Sequence, residues 1–505
     1  RADSQLLVIF GASGDLTGRK LLPALFEVFI GDMLPEHFAI LGAARTGYTD
    51  EEFRAEQRKH ILEARGNKET NSAELDKFLR ILFYLAFDST NSAEYVKLKD
   101  RIHSLQQQEN IPDRIIYYLA TPPLMYELVP KYLQENGMNV AETEDGWRRV
   151  IVEKPFGTSL ETAQELNKHL CRIFEEEEIY RIDHFLGKET AQNVLAFRFA
   201  NGIFEPLWNR NYIDYVEITA VENLGIEQRG GFYETAGALR DMVQNHLIQL
   251  VALTAMEPPA VFNADNFRNE VVKVYESLTP LTEEDLNEHI VRGQYTASGN
   301  KKGYREEKGV ASESRTETYI AMKLGISNWR WSGVPFYIRT GKQMPTKVTE
   351  IVVHFRETPH QMFRCSGGNC PRANKLILRL QPNEGIVLKI GMKVPGAGFE
   401  VRQVTMDFSY AQLGGVPSGD AYARLIDDCI QGDPTLFTRS DAVEASWNFF
   451  DPVLRYWKDN PDAPLYGYPA GTWGPLESEA MMHEHGADWT NPCKNLTNTD
   501  QYCEL

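Results

Sequence analysis

The stretch Leu6-Leu7-Val8-Ile9-Phe10-Gly11-Ala12-Ser13-Gly14-Asp15-Leu16-Thr17 decides the fold. Residues 6–10 are apolar without alternation, the pattern of a parallel strand buried on both faces. Gly11 and Gly14 break the run, and a helical pattern opens behind them. Strand, glycine turn and helix in this order suit a dinucleotide. The turn admits a pyrophosphate to the main chain, and the helix start offers N–H groups and partial positive charge. The spacing is not the usual GxGxxG, because the second glycine comes one residue late. A turn that merely joins strand to helix is the competing reading.

Further strands follow outward from this stretch. Residues 38–42, 114–119 and 149–153 repeat the apolar run, separated by helical segments. That alternation implies right-handed crossovers and a doubly wound parallel sheet. Beyond residue 180 the pattern changes. Residues 215–222, 350–355, 375–380, 385–393 and 401–410 are β-rich, and several alternate polar with apolar side chains, as in a sheet with one buried face. A helix over 241–254 would cover that face. The expected class is α/β: a Rossmann-like doubly wound parallel sheet domain over 1–180. A larger β+α domain with a mixed, mostly antiparallel sheet follows over 181–505. Loops are expected at 65–72 and 296–309, and the acidic run 175–178 reads as a solvated helix end.

Composition narrows the function. The 505 residues give material for two or three domains. Apolar residues make up 42% and charged residues 25% of the chain. That is the usage of an ordinary soluble globular protein. The longest apolar stretch, 246–256, stops at Pro258-Pro259, too short for a membrane span. The net charge is −18, from 53 basic and 71 acidic residues, so nucleic acid and anionic membranes are not expected partners. A small phosphorylated ligand needs only a few cations in one cleft. Six scattered cysteines and a start almost directly on a strand, without a leader, point to a reducing cytoplasm. Cys365 and Cys370, in CSGGNC, lack a second pair at zinc spacing, and His483-Glu484-His485 does not match HExxH, so no metal is expected.

The second strand ends in Gly42-Ala43-Ala44-Arg45-Thr46. An NAD-binding fold usually places there an acid for the ribose 2′-hydroxyl. A guanidinium suits a 2′-phosphate instead, which points to NADP, with NAD as the weaker alternative. Three lysines stand beside Gly or Pro: Lys154-Pro155, Gly187-Lys188 and Gly341-Lys342. Asp183-His184-Phe185-Leu186-Gly187-Lys188 packs acid, imidazole and amine together, and Arg240-Asp241-Met242-Val243-Gln244-Asn245-His246 does so ahead of an apolar helix. A histidine with a carboxylate to orient it can serve as a general base.

The blocks GASGDLTGRKLLPAL, EKPFGTS, RIDHFLGKE, RDMVQNHLIQ, SGVPFYIRTGK, DAYARLI, GDPTLFTR and PAGTWGP occur in this order along the chain. The sequence resembles the glucose-6-phosphate dehydrogenase family over its whole length. The resemblance implies oxidation of glucose 6-phosphate at C1, with hydride transfer to NADP, in a homodimer or homotetramer. It makes residues 1–180 the NADP-binding domain and residues 181–505 the substrate-binding and dimerisation domain. It implies His246 as base and Asp183 as its partner. His184 and Lys188 would take the substrate phosphate, Lys154 would bridge sugar and coenzyme, and Glu222, Asp241, Lys342 and Lys347 would contact the sugar. Gly11, Ser13, Gly14, Asp15, Leu16, Arg45, Thr46, Tyr126, Lys154 and Pro155 would line the coenzyme site. Two departures stand out. Phe185 replaces a tyrosine common among relatives. Val348, Val352 and Ala373 stand where eukaryotic members bind a structural NADP, so no second coenzyme is expected. The alternatives are a sugar dehydrogenase of the glucose–fructose oxidoreductase type and an NADP-binding sensor without turnover.

Overall fold

The run 6–10 lies in the centre of a parallel sheet. In the computed structural model, which describes residues 2–66, 70–360, 362–363, 373–413, 421–484 and 486–492, the chain divides into two compact units. The first comprises residues 1–189 together with 260–268 and 418–444. It carries β1 (Gln5–Phe10), β2 (Phe38–Ala44), β3 (Leu82–Ala86), β4 (Arg114–Leu119), β5 (Trp147–Glu153) and β6 (Ile179–Ile182) in the order β3-β2-β1-β4-β5-β6. Every pairing is parallel. β1 is buried throughout, which is why its sequence shows no alternation. The strand order reverses between β1 and β4, the place where such sheets open a crevice at their carboxyl ends.

The expected boundary at 180 differs from this division, because it would cut through β6. The first unit runs to Glu189 and takes back two later segments. The acidic run also differs from expectation. Glu176 holds the buried Arg181 of β6 at 2.7 Å and accepts the Ser440 N–H at 2.9 Å. Glu176 thus belongs to a structural ion pair, while Glu175 and Glu177 are exposed.

The second unit comprises 190–259, 269–417 and 445–505. Its strands are β7 (Ile213–Val221), β8 (Ile290–Thr296), β9 (Tyr319–Leu324), β10 (Phe336–Gly341), β11 (Val348–Phe355), β12 (Lys375–Gln381), β13 (Gly385–Lys393), β14 (Val401–Ser409) and β15 (Tyr466–Pro469). They form one sheet in the order β14-β13-β12-β11-β7-β10-β9-β8-β15. Only β7–β10 and β8–β15 pair in parallel, so the sheet is mixed and mostly antiparallel. An aromatic core that includes Tyr233, Tyr295, Tyr304, Tyr319, Tyr337, Tyr468 and Trp489 lies within this unit. Among the described residues no helix is long and apolar enough to cross a membrane. Cys365 and Cys370 lie outside the described residues, as does His485.

Candidate active site

Two groups of sequence-predicted residues form, one in each unit. In the first unit Gly11 follows β1 with φ of +81°, a conformation that favours glycine. A Cβ there would stand 2.2 Å from the Ala120 carbonyl oxygen, so the turn is closed to any side chain. Gly14 N–H donates to Gly11 O at 2.9 Å, and the helical chain starts at Asp15 and Leu16. The Asp15 carboxylate is engaged by Arg19 at 2.6 Å. The Thr46 hydroxyl donates to Ser13 Oγ at 2.9 Å, tying the ends of the first two strands together. Tyr84 donates to Ala44 O and Thr46 O, which fixes the turn that exposes Arg45. Thr121 Oγ1 is buried without a hydrogen-bond partner among the described residues, and its methyl group lies beside Gly11. A dinucleotide 2′-phosphate fits this cradle, which offers hydroxyls, a guanidinium and N–H groups with no carboxylate at the end of β2.

β5 and β6 end on the other residues of this unit. Glu153 pairs with Ile182, so Lys154 and Asp183 leave adjacent parallel strands at the same edge. The Lys154–Pro155 peptide is cis. Asp183 is buried, and its Oδ1 accepts Phe185 N–H at 2.9 Å, closing a tight turn. Within that turn Lys188 Nζ sits 3.7 Å from the Phe185 ring centroid. This is a cation–π contact in place of a tyrosine hydroxyl. Tyr126 is buried at the start of the helix Met125–Glu135, and burial together with the nearby Glu153 charge raises its pKa. Glu153 itself accepts the Tyr118 hydroxyl at 2.6 Å. Burial pushes its pKa up to about 7, against the lowering effect of Tyr118, Lys154 and Tyr422.

The second unit assembles carboxylates around a lysine. β7 and β10 are parallel neighbours with Val221 opposite Gly341, so Glu222 and Lys342 emerge side by side. Their main chains are joined by Glu222 N–H to Gly341 O at 2.9 Å. Lys342 Nζ donates to Glu222 and lies 3.7 Å from Asp241 Oδ2. Lys347 is exposed immediately before β11, whose Val348 faces Val221, at the same sheet edge.

Asp241 and His246 belong to a π-helix, Leu239–Leu247, that continues into the α-helix Ile248–Ala255. This differs from the ordinary helix expected over 241–254. In a π-helix residues five apart share a face, whereas in an α-helix they would be about 140° apart. Asp241 and His246 are five apart, and His246 is buried. Such π segments are frequent at functional sites. Gly237, with φ of +65°, breaks the preceding helix, and Glu317 Oε1 accepts Leu239 N–H at 3.1 Å where the π segment begins. Sequence reasoning misses Tyr233. Its ring centroid lies 5.6 Å from Lys342 Nζ, and its buried hydroxyl has no hydrogen-bond partner among the described residues. It reads as one more core aromatic, and only the contact with Lys342 marks it.

A switch-point glycine cradle, an arginine at the end of the second strand, and a second unit whose sheet edge and π-helix carry a histidine and two carboxylates around a lysine define a class: a nicotinamide-dinucleotide dehydrogenase with a second, substrate-handling unit. Comparison with known proteins makes this particular. A family profile described as the NAD binding domain of glucose-6-phosphate dehydrogenase matches residues 8–193, and its C-terminal domain counterpart matches 195–490. A glucose-6-phosphate 1-dehydrogenase of Aggregatibacter actinomycetemcomitans is 50% identical over 496 residues, covering 97% of this chain and 98% of the relative. One from Treponema pallidum (strain Nichols) is 47% identical over 505 residues, covering 99% and 98%. A solved glucose-6-phosphate dehydrogenase in complex with its substrate superposes with a TM-score of 0.89 at 35% identity, over 97% of this chain and 99% of that one. The enzyme from Mycobacterium avium gives 0.83 at 35% identity, over 98% and 99%. The chain belongs to the glucose-6-phosphate dehydrogenase family.

Proposed function

We infer that this chain oxidises glucose 6-phosphate at C1 to 6-phosphoglucono-δ-lactone, using NADP, as the first step of the oxidative pentose phosphate pathway. The observation that carries the reading is full-length identity of 50% to a glucose-6-phosphate 1-dehydrogenase, together with a glycine cradle and Arg45 suited to a 2′-phosphate. When bound, NADP supplies the hydride acceptor. His246 takes the C1 hydroxyl proton as hydride leaves C1, and Asp183 orients its imidazole. A positioned base of this kind contributes ~10²–10⁴-fold. His184 and Lys188 hold the 6-phosphate. Glu222, Asp241, Lys342 and Lys347 fix the sugar hydroxyls, with Lys342 orienting the two carboxylates. Lys154 and Pro155 set sugar against coenzyme, while Ser13, Arg45 and Thr46 take the adenosine 2′-phosphate.

The chain works in the cytoplasm as a homo-oligomer. Its sparse cysteines support the first part, with Cys171 and Cys429 both free thiols. The second is supported by the outer end of the mixed sheet, where Val404, Met406 and Phe408 of β14 and Met392 of β13 are exposed. Residues 404, 406 and 408 share a face and lie opposite Ile390, Leu388 and Ile386, giving a continuous apolar stripe of the kind an interface covers. Initial rates of NADPH formation test the activity, with glucose 6-phosphate run beside free glucose and NADP beside NAD. Fast turnover that needs both phosphates is expected. A folded, NADP-binding protein without turnover would return the reading to a sensor.

A further inference from the structure

Two helices of the second unit meet at Gly237. The helix Gly230–Ala238 ends beside it, and the π-helix Leu239–Leu247 begins. In an unbroken α-helix the N–H groups of Ala238 and Leu239 would donate to the carbonyls of Glu234 and Thr235. Gly237, at φ of 65° and ψ of 174°, takes the chain out of helical geometry, and another segment meets both N–H groups. The Ala238 N–H donates to the Glu317 main-chain oxygen at 3.0 Å, and the Leu239 N–H donates to Glu317 Oε1 at 3.1 Å. The Thr316 hydroxyl takes the other side of the break, donating to Glu234 O at 3.2 Å. Residues 316 and 317 are thus wedged into the helical ladder, the kind of insertion that breaks a helix at a defined place. The seat is tight: a Cβ on residue 237 would stand 2.3 Å from Glu317 Oε1.

The wedge is tied to Lys342 through the residue that follows it. Thr318 accepts the Lys342 N–H on its main-chain oxygen at 2.9 Å, and Tyr319 opens β9 opposite Gly341 of β10. Lys342 Nζ lies 3.7 Å from Asp241 Oδ2. A closed circuit results, from Glu317 through Leu239 to Asp241, across to Lys342 and back through Thr318. Glu317 is buried, and burial raises its pKa against the lowering effect of its N–H contacts and of Arg292 and Arg240. An ionised and a neutral carboxyl both keep an oxygen for the Leu239 N–H, so the bond needs the acceptor rather than the charge. We propose that Glu317 is a positioning residue for the reaction: its wedge fixes the residue at which the π-helix begins, and thereby places Asp241 against Lys342 and His246 on the same face. The proposal rests on the reading that Asp241 meets the sugar and His246 takes its proton. Glu317 belongs to the second unit and not to the one with the glycine cradle, so its mark is a loss of turnover without a loss of NADP binding.

Steady-state kinetics and calorimetric NADP binding of full-length Glu317→Ala, Glu317→Asp, Glu317→Gln and His246→Asn test this. Glu317→Ala should lower kcat for glucose 6-phosphate about 10- to 100-fold, with Kd for NADP within about twofold of the parent, because a displacement of about 1 Å at the reacting groups has that effect. Glu317→Asp withdraws the acceptor by one methylene and should lower kcat about tenfold. Glu317→Gln restores an acceptor at full reach and should recover kcat to within about threefold of the parent. Should Glu317→Ala fail to fold, the contrast between the Asp and Gln variants decides. If the Ala and Asp variants keep the parent's kcat while His246→Asn has lost turnover, the proposal is overturned and the reading of the base stands. Equal falls in the Asp and Gln variants overturn it too, since the acceptor's position would then not be what matters. So does a loss of NADP affinity in step with kcat, which a general structural role would give. Unchanged turnover in His246→Asn overturns the reading of the base and the proposal with it.

Discussion

The first unit brings main-chain turns and cations to the ends of its strands, whereas the second brings carboxylates around a single lysine. In the proposed reading Gly11, Gly14, Arg45, His184 and Lys188 are hardware for anions. Glu222, Asp241 and Lys342, with Lys342 buried between the two acids, can give and take hydrogen bonds from neutral hydroxyls. The contrast teaches how an acidic chain of net charge −18 can handle an anionic substrate. In that reading positive charge is concentrated in one unit's turns, and the unit that carries His246 is left to discriminate hydroxyls and move a proton.

The sharpest way to break this division is at the base. His246→Asn should lower kcat ~10²–10⁴-fold while calorimetry finds NADP binding unchanged, because the anion hardware lies on the other unit. A loss of coenzyme affinity in that variant would merge the two roles. Next in size is Lys342→Met. Two carboxylates lose their shared cation, so urea unfolding should show a loss of about 3 kcal/mol, the cost of breaking a largely buried pair. The sugar KM should rise with it.

Glu153→Gln sharpens the comparison from the cationic side. The folded-state pKa of Glu153 is raised from 4.5 to about 7, so between those values the unfolded chain ionises and the folded chain does not. The stability of the parent therefore falls as pH rises through that window and levels off above about 7, by on the order of 3 kcal/mol from this group. The glutamine variant should lack that decline, and parallel pH profiles for the two proteins would refute it. Arg45→Ala should weaken NADP about tenfold in KM and leave NAD unaffected, since only the 2′-phosphate is lost to it. The smallest effect belongs to Phe185→Tyr, in which a restored hydroxyl should lower KM for glucose 6-phosphate about two- to threefold.

The first unit is readable in sequence wherever burial leaves a simple pattern. β1, β2, β4 and β5 show as apolar runs, while β3 follows a helix without a glycine or proline to mark the change, and β6 has four residues and a buried arginine. In the second unit β8, β9 and β10 escape notice, because strands buried along most of their length do not alternate, and β15 because it has only four residues. Family resemblance alone names Glu222 and gives Asp241 and Lys342 their roles toward the sugar, and the register of β7 and β10 supplies the physical reason that Glu222 and Lys342 meet. Tyr422 carries no local signal. Its ring contact with His184 joins residues far apart in the chain, and no periodicity records it.

The π-helix Leu239–Leu247 has a consequence that lies in counting rather than in chemistry. Were the segment to relax to α geometry at constant length, Asp241 and His246 would stand about 140° apart, and only the removal of one residue from 242–245 would bring them back to one face, four residues apart. Charge and hydrophobicity would hardly change, and every side chain given a role here would still be present. The site is thus written partly as a match between helical period and the number of residues between two positions.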